Sequence, residues 1–290
     1  METEALTEHL VELIRRAACD LPPDVTRALE TARDGEQDRA RSTLDLMLHN
    51  AAEARAHSMP ICQDTGALLF HVEHGPDIRP RQMADAARAA AAEATRRVYL
   101  RPNAVHPLTG KNSGDNTGAG APYLHFDQVD EPGLLVVRLM LKGGGSENCG
   151  VQYTLPDGAI GAGRDLSGVK RCILDAALKA QGFGCAPGTL GVGVGGDRMT
   201  SYTESKLQFL RRLDDENADP ELAAVEREML DKVNQLGIGP MGFSGNNTIL
   251  GVKLGMRHRH PACFFVSVSY MCWAYRRRTL TLRGDRAEIE

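Results

Sequence analysis

The segment that decides the fold is Leu-Leu-Val-Val-Arg-Leu-Met-Leu at residues 134–141, which continues into Lys-Gly-Gly-Gly-Ser-Glu-Asn at 142–148. A short and nearly continuous apolar run predicts a buried strand, and the glycines predict that a loop begins where the strand ends. Two further β-like runs, at 248–256 and 263–271, are joined by residues 257–261, which we expect to form a hairpin turn. The sequence therefore predicts a β-sheet with a glycine-rich loop at one strand end.

Helical patterns lie on both sides of these strands. Leu6, Leu10 and Ile14 recur at helical spacing, and residues 20–23 end that run before a second helix begins near Asp24. Further helices are predicted over 80–100, over 169–180 with a stop at Gly182, from a capping box of Ser201 and Glu204, and from Asp219-Pro220 to about Gly237. Residues 1–57 are thus expected to form a helical N-terminal layer.

Composition and charge exclude several classes of protein. The chain has 290 residues, 42% of them hydrophobic, and a net charge of -4, so it can form a globular core but has no overall basic field to attract nucleic acid or an anionic membrane. The acidic N-terminus lacks a secretion signal, and the uncharged run 261–275 is too short for a transmembrane helix. Seven cysteines argue against a disulfide scaffold and for a reducing compartment, so we expect a cytoplasmic protein.

Three distant segments each place a cysteine among turn-forming or aromatic residues. They are Pro-Ile-Cys-Gln-Asp-Thr-Gly at 60–66, Gly-Phe-Gly-Cys-Ala-Pro-Gly at 182–188, and Met-Cys-Trp-Ala-Tyr-Arg-Arg at 271–277. Cysteines so far apart in sequence suggest a cluster site that the tertiary fold assembles. A 4Fe-4S cube normally takes four thiolates, so three would leave one iron open as a Lewis acid. A role as ordinary core thiols is the alternative.

A glycine pattern offers a rival interpretation. Gly191-x-Gly193-x-x-Gly196 fits the dinucleotide fingerprint, follows a strand-like run and precedes a helix, with acidic residues at 214–216 about 20 residues on. Against a dinucleotide fold, the helical segment 201–236 is long and charged, and no buried parallel strand follows it promptly. An NAD-dependent dehydrogenase therefore stays an alternative of lower rank.

Several motifs, in the same order along the chain, carry a resemblance to a known family. Cys-Gln-Asp-Thr-Gly at 62–66, Cys-x-Pro-Gly at 185–188 with the glycines of 191–196, Arg-His-Pro-Ala at 259–262 and Cys-Trp-Ala-x-Arg-Arg at 272–277 resemble class I, iron-sulfur-dependent fumarate hydratase and L(+)-tartrate dehydratase. The match covers about 58–278 and corresponds to the N-terminal, cluster-binding half or alpha subunit. The resemblance implies a single α+β domain over 1–290, with the helical layer packed on a mixed β-sheet.

The resemblance implies that Cys62, Cys185 and Cys272 hold the 4Fe-4S cluster. The turn-forming residues beside Cys62 and Cys185 expose backbone N-H groups that can donate to cluster sulfur, which also favours ligation. Cys172 falls on the apolar face of a predicted helix and is expected to be a core thiol. Cys149 follows the glycine loop and is the best substitute ligand.

The resemblance also implies the proton-handling groups. Asp64 is expected at the leaving hydroxyl of the substrate, with Gln63 on a substrate carboxylate and His260 as the partner that holds or protonates Asp64. The alternatives are that Asp64 only caps a turn with Thr65 and that His260, in a turn, is only solvated.

A dianionic substrate needs cationic or N-H partners in a buried site. Arg101 lies in a Tyr-Leu-Arg segment that resembles the family's, and it is the expected bidentate clamp. Gly144 and Gly145, with their neighbours in the loop, are expected to offer N-H donors to the second carboxylate.

The resemblance implies a hydro-lyase that reversibly hydrates fumarate to L-malate as the alpha subunit of a two-chain enzyme. The chain ends soon after Cys-Trp-Ala-x-Arg-Arg, so we expect a separate beta subunit that carries the second catalytic domain and its threonine base, in a higher oligomer of alpha-beta pairs. An L(+)-tartrate dehydratase alpha subunit is the alternative substrate assignment, and Cys-Trp-Ala at 272–274 resembles the fumarate branch. A non-catalytic iron-sulfur or zinc protein, closed by Cys149 or His260, remains a second class.

Overall fold

The computed structural model describes residues 3–284 and 286–290. The chain forms two compact units, the first of Met1–Pro22, His49–Gly144 and Arg276–Glu290, the second of Pro23–Leu48 and Gly145–Tyr275. Each unit combines helices with a mixed β-sheet, which confirms the predicted α+β class. The expectation that 1–290 act as one domain stays a prediction. No helix of the described residues is both long enough and apolar enough to cross a bilayer.

The described residues form eight α-helices and nine β-strands. The α-helices are α1 (Thr3–Cys19), α2 (Pro23–Asp34), α3 (Asp38–His57), α4 (Pro80–Arg96), α5 (Gly144–Asn148), α6 (Leu166–Ala180), α7 (Arg198–Leu207) and α8 (Pro220–Asn234). The strands are β1 (Ala67–His74), β2 (Tyr123–Gln128), β3 (Leu134–Lys142), β4 (Val151–Thr154), β5 (Gly188–Gly195), β6 (Ile249–Arg257), β7 (Phe265–Met271), β8 (Arg277–Arg283) and β9 (Arg286–Ile289). The predicted helices of 1–57 are therefore present as α1 to α3.

The sheet of the first unit has the order β2-β1-β3-β8-β9. Its central strand β3 pairs antiparallel with β1 and β8, while β1 and β2 run parallel. Nearly every residue of β3 is buried, as its apolar run predicts, and α1 packs against α4, β3 and β8. The shared core includes Leu10, Leu13, Ile14, Phe70, Met83 and Leu139. The periodicity of the N-terminal leucines thus marks a helix face that is buried.

The sheet of the second unit has the order β4-β7-β5-β6. The predicted hairpin between the runs at 248–256 and 263–271 is wrong, because β5 lies between β6 and β7. β5 runs parallel to β6 and antiparallel to β7. The connection that begins at 257–261 therefore passes from one side of β5 to the other. The apolar runs were sufficient to predict both strands, but strand neighbours depend on a third segment far away in sequence.

The glycines of 191–196 lie in and just after β5, and they allow α7 to pack closely on it. A methyl group at Gly191 would lie 2.1 Å from the Ser205 carbonyl oxygen, and one at Gly193 would lie 2.1 Å from the Ser201 carbonyl oxygen. Glycine is therefore required here for packing within the strand. A buried strand parallel to β5 does follow, but only at Ile249, since β6 begins after α7, α8 and a further connection.

Helix ends confirm one predicted cap and correct another. Asp219 caps α8 by accepting hydrogen bonds from the N-H groups of Glu221 and Leu222, as its position before proline predicts. The predicted capping box at Ser201 is wrong. α7 begins earlier, with Asp197 accepting from the Thr200 N-H, and Ser201 lies buried inside the helix. A nearer carboxylate caps the helix in place of the serine.

Candidate functional site

The segment 60–66 is anchored in the first unit between α3 and β1. The Ile61 N-H donates to the Ala18 carbonyl at 3.0 Å, and the Asn50 amide donates to the Ile61 carbonyl at 2.8 Å. Gly66 has φ +82°, and a methyl group there would lie 2.8 Å from backbone atoms of Lys142. Glycine thus lets this turn approach the end of β3, and Cys62 is held half-exposed at the turn.

Backbone N-H groups orient the Asp64 carboxylate within this turn. Its Oδ1 accepts from the Gly66 N-H at 3.0 Å and its Oδ2 accepts from the Gly144 N-H at 2.7 Å. The Arg276 Nη1 donates to the Asp64 backbone carbonyl at 2.8 Å. The side chain therefore does cap a turn, as one alternative held. It also links the cysteine turn to the glycine loop that follows β3.

Arg276 is a site residue that the sequence reasoning did not assign. It is 1% exposed, and its Nε has no hydrogen-bond partner among the described residues. A buried guanidinium beside the Asp64 backbone places a positive charge at the turn that carries the carboxylate. Its position in Cys-Trp-Ala-x-Arg-Arg was the available signal.

Thr65 and Asn116 hold the segment around Arg101 against the same turn. The Thr65 Oγ1 accepts from the Arg101 N-H at 3.1 Å and from the Asn103 amide at 2.9 Å. The Asn116 amide donates to the Arg101 carbonyl at 2.8 Å. The Arg101 side chain is exposed, with one long contact of 3.5 Å to the Gln63 carbonyl. The structure therefore brings Arg101 to Gln63 and Asp64 within the first unit.

The segments of Cys185 and Cys272 meet in the second unit. The Trp273 N-H donates to the Cys185 carbonyl at 3.1 Å. Cys185 has φ +57°, a left-handed conformation that non-glycine residues rarely adopt outside special sites. Both cysteines are half-exposed. The fold thus brings together two of the three predicted ligands, which are 87 residues apart in sequence.

Tyr270 lies buried beside this pair. Burial raises the pKa of Tyr270 well above its ordinary value, and negative charge on the thiols of Cys272, Cys149 and Cys185 acts in the same direction. The Cys149 thiol itself donates to the Gly145 carbonyl at 3.4 Å. Cys149 therefore lies in the neighbourhood of the two predicted ligands, as a substitute ligand would.

Two cysteines belong to the hydrophobic cores. Burial raises the pKa of Cys19 to about 11 and that of Cys172 to about 12, so neither thiol ionises readily. The expected core position of Cys172 is confirmed at 0% exposure. The predicted ligands differ from these two by being half-exposed and by lying in turns. Their donor chemistry fits an iron-sulfur cluster, which needs accessible thiolates.

His260 lies exposed in the connection between β6 and β7. Its Nδ1 accepts from the Ala262 N-H at 3.2 Å, which leaves Nε2 to carry the proton of the neutral ring. Arg259 fixes the connection by donating to the carbonyls of His260, Pro261 and Cys263. The catalytic role of His260 stays a prediction.

No three His, Cys, Asp or Glu side chains of residues 3–284 and 286–290 are grouped so as to bind one metal ion. A 4Fe-4S cube spreads its thiolates over separate irons, one ligand per iron. The ligand set Cys62, Cys185 and Cys272 therefore stays a prediction. The hydrogen bond from the Trp273 N-H to the Cys185 carbonyl joins the segments of two of these cysteines, Cys185 and Cys272.

Comparison with known proteins identifies relatives over nearly the whole chain. A family model described as fumarate hydratase (Fumerase) matches residues 7–281. A Geobacillus stearothermophilus protein, named as a class I fumarate hydratase, is 44% identical over 99% of this chain and 56% of its own length. The chain thus spans about half the length of that relative.

Two relatives of similar length carry another name. A Methanocaldococcus jannaschii protein named as an L(+)-tartrate dehydratase subunit alpha is 33% identical over 97% of this chain and 98% of its own length. The L(+)-tartrate dehydratase subunit alpha of Escherichia coli strain UTI89 is 30% identical over 97% of this chain and 91% of its own length.

Proposed function

Because the chain belongs to the class I fumarate hydratase and L(+)-tartrate dehydratase family, we propose that it is the alpha part of a hydro-lyase that reversibly hydrates fumarate to L-malate. The observation that carries this proposal is the turn at 62–66, which sets a half-exposed cysteine two residues from a carboxylate oriented by two N-H donors. A cofactor ligand and a proton-handling group on one rigid turn suit the removal of water from a hydroxy acid.

Fumarate is the favoured substrate because 44% identity links the chain to a protein named as a fumarate hydratase, against 30–33% for the tartrate dehydratase subunits. Dehydration of L(+)-tartrate is the second candidate. It is favoured by the near-complete mutual coverage with alpha subunits of that name.

We assign Cys62, Cys185 and Cys272 as ligands of a 4Fe-4S cluster. When bound, such a cluster supplies a Lewis acid at its open iron, which polarises the hydroxyl that leaves. Asp64 would donate a proton to that hydroxyl so that it leaves as water, and in the hydration direction would take a proton from the attacking water. A carboxylate has about four lone-pair sites, and the N-H donors of Gly66 and Gly144 use two of them, so Asp64 retains the capacity to accept a proton.

Arg101 would bind one substrate carboxylate. Its guanidinium is exposed and, within the described part of the chain, makes one long contact to Gln63, so it can turn to a bidentate partner without losing a strong bond. Gln63, which is also exposed, would contact the same substrate. The Gly144 N-H is engaged by Asp64, so Gly144 would act through that carboxylate, and Gly145 stays the candidate N-H donor.

His260 would exchange a proton with Asp64. The support is that its Nδ1 already accepts from the Ala262 N-H, which fixes the tautomer and directs the remaining proton to Nε2. This role rests on the matched Arg-His-Pro-Ala motif together with that tautomer.

We propose a beta subunit as the partner, with alpha-beta pairs in a higher oligomer. Relatives of matching length are named alpha subunits. A dianionic substrate also needs more cationic groups than Arg101 provides. Removing preorganised electrostatic groups typically lowers turnover by about 10²- to 10³-fold each. Anaerobically reconstituted chain alone should therefore turn over little fumarate until a candidate beta chain is added. Full turnover by the isolated chain would refute the two-chain proposal, and turnover of tartrate alone would reassign the substrate.

Asp64→Asn tests the carboxylate directly. Loss of acid-base catalysis should lower kcat by about 10²-fold or more while iron content stays unchanged. The amide also places an NH2 group against one N-H donor, so Tm should fall as well. Asp115→Asn is the matched control, since Asp115 accepts from the Thr117 N-H at 2.9 Å in a loop with no proposed chemistry. Retained kcat with a lowered Tm would reduce Asp64 to a turn cap.

Metal content distinguishes the enzyme from a structural metal protein. Anaerobically purified chain should contain iron and sulfide and give an EPR signal after reduction. Stoichiometric zinc without iron or sulfide would refute the cluster assignment.

A further inference from the structure

One buried tyrosine hydroxyl in the second unit donates no hydrogen bond within the described part of the fold. Tyr270 is 2% exposed in β7; the Gly188 N-H lies near its hydroxyl oxygen, but the hydroxyl donates to no acceptor among the described residues. A buried hydroxyl without a partner loses its hydration with no compensation, so such groups are rare in native structures. The side chain lies in the hydrophobic core of the second unit, where Tyr270 of β7 pairs with Leu190 of β5. A group bound at this place would explain the hydroxyl.

The loop that carries Cys185 packs against the Tyr270 ring at two glycines. A methyl group at Gly184 would lie 2.4 Å from Cε1 of the ring, and one at Gly188 would lie 2.5 Å from the hydroxyl oxygen. These two glycines bracket Cys185 on either side. Glycine at both positions therefore permits the loop to lie against the ring and brings the hydroxyl to the backbone of the cysteine loop.

Cys272 is placed beside the same hydroxyl by the strand. Tyr270 is the penultimate residue of β7, and Cys272 lies one residue past the end of that strand, two residues from Tyr270. The hydrogen bond from the Trp273 N-H to the Cys185 carbonyl joins the two cysteine segments at this point. The unpaired hydroxyl thus lies where the two second-unit ligands meet.

We propose that the Tyr270 hydroxyl donates a hydrogen bond to a sulfur of the cluster end held by Cys185 and Cys272. The proposal rests on the cluster ligation proposed above. Tyrosine keeps its proton at neutral pH and can donate, and thiolate or sulfide sulfur is the acceptor that the site offers. Tyr270 is a positioning residue, because it touches neither the substrate nor the open iron in this scheme.

Donors to cluster sulfur stabilise the more negative, reduced state and raise the reduction potential. Removing the hydroxyl should therefore lower the midpoint potential. It should also make oxidative loss of iron easier. Tyr270→Phe keeps the ring that Gly184 and Gly188 contact, so it removes the donor without opening a cavity.

The matched control is Tyr275→Phe. Tyr275 is also fully buried and lies three residues after Cys272, but its hydroxyl donates to the Phe209 carbonyl at 2.5 Å. Removing a satisfied hydroxyl should lower the stability of the apo chain, whereas removing an unsatisfied one should leave it unchanged or raise it. The two variants therefore separate a role in the fold from a role toward the cluster.

The experiment uses the full chain, in apo form and after anaerobic reconstitution with iron and sulfide. EPR-monitored titration should give a lower midpoint potential for Tyr270→Phe than for wild type, and iron loss in air should be severalfold faster. Tyr275→Phe should match wild type in both. The Tm of apo Tyr270→Phe should be no lower than that of wild type.

An apo Tm for Tyr270→Phe that falls as far as for Tyr275→Phe would overturn the proposal, because the hydroxyl would then have a partner in the fold. A wild-type potential in Tyr270→Phe would overturn it while leaving the cluster assignment intact. Wild-type chain that takes up no iron and sulfide would overturn the cluster assignment, and this proposal with it.

Discussion

Replacing Gly193 by alanine should separate helix α7 from strand β5. The added methyl group would lie 2.1 Å from the Ser201 carbonyl oxygen and 2.7 Å from the Ser205 backbone nitrogen. Both atoms belong to the backbone of α7, which cannot rotate away as a side chain could. An ordinary contact at 3.4 Å requires the helix to move by about 1.3 Å.

That displacement has a consequence for buried hydrogen bonds. The Ser201 hydroxyl lies 2.8 Å from that of Ser267, and the Ser205 hydroxyl lies 2.7 Å from that of Ser269, so two serine pairs join α7 to β7. Overpacking of a core typically costs about 1–3 kcal/mol, and leaving one buried polar group unpaired costs about 1–3 kcal/mol more. A loss of roughly 2–6 kcal/mol is a large share of the stability of about 5–15 kcal/mol that domains have.

Thermal unfolding followed by circular dichroism measures the effect. Gly193→Ala should lower Tm by on the order of 10 °C, given about 2–4 °C per kcal/mol for a chain of this size class. Gly158→Ala is the matched control, since a methyl group there has no neighbour within 4 Å, and its Tm should stay close to that of wild type.

Equal Tm values for the two variants would refute the packing argument. The dinucleotide alternative has its own signature. If NAD raised the Tm of wild type and Gly193→Ala abolished that shift without unfolding the chain, the glycines would be a binding loop after all.

Two further predictions concern stability. Val98 has φ +64° after the end of α4 and is 71% exposed, so Val98→Gly should raise Tm by a few degrees, since a left-handed residue other than glycine costs about 1–2 kcal/mol. Val105→Gly, at an exposed site with ordinary φ, should not raise Tm. Burial raises the pKa of Cys172 from 9.0 to about 12, so the unfolded chain ionises first and stability should fall as pH rises from 9 to 12. Cys172→Ala should flatten that fall in denaturant titrations at pH 8 and pH 11, and an unchanged slope would contradict the assignment.

Local periodicity predicted the elements of the fold well and their arrangement poorly. The apolar run at 134–141 became the buried strand β3, and the N-terminal leucine spacing became the buried face of α1. The run at 257–261 did not become a hairpin, because β5 pairs with both flanking strands. Which strand lies between two others is fixed by nonlocal packing, which a window of a few residues cannot detect.

The residues of the candidate site likewise fall into those that sequence motifs singled out and those that only the structure revealed. Motifs that resemble the family's singled out Cys62, Asp64 and Arg101, and the structure brings the Arg101 segment to the turn that carries the other two. Their roles stay predictions. Thr65 and Asn116 were missed, although they fix the Arg101 segment against the cysteine turn. Their side chains act through backbone groups of distant residues, and such hydrogen bonds leave no spacing pattern.

The stretch 270–276 explains why an apolar run can still carry a site. Periodicity favours a plain core strand there, yet Tyr270 and Arg276 are both buried with a polar atom that lacks a partner among the described residues. Burying a guanidinium or a hydroxyl without full pairing is unfavourable, so hydrophobic packing alone would select apolar side chains at both positions. Arg276 instead binds the backbone of Asp64, and Tyr270 lies against the loop of Cys185. Because each polar group departs from the core pattern at the point where it touches a proposed site segment, these departures make Tyr270 and Arg276 candidates for a functional role in this run.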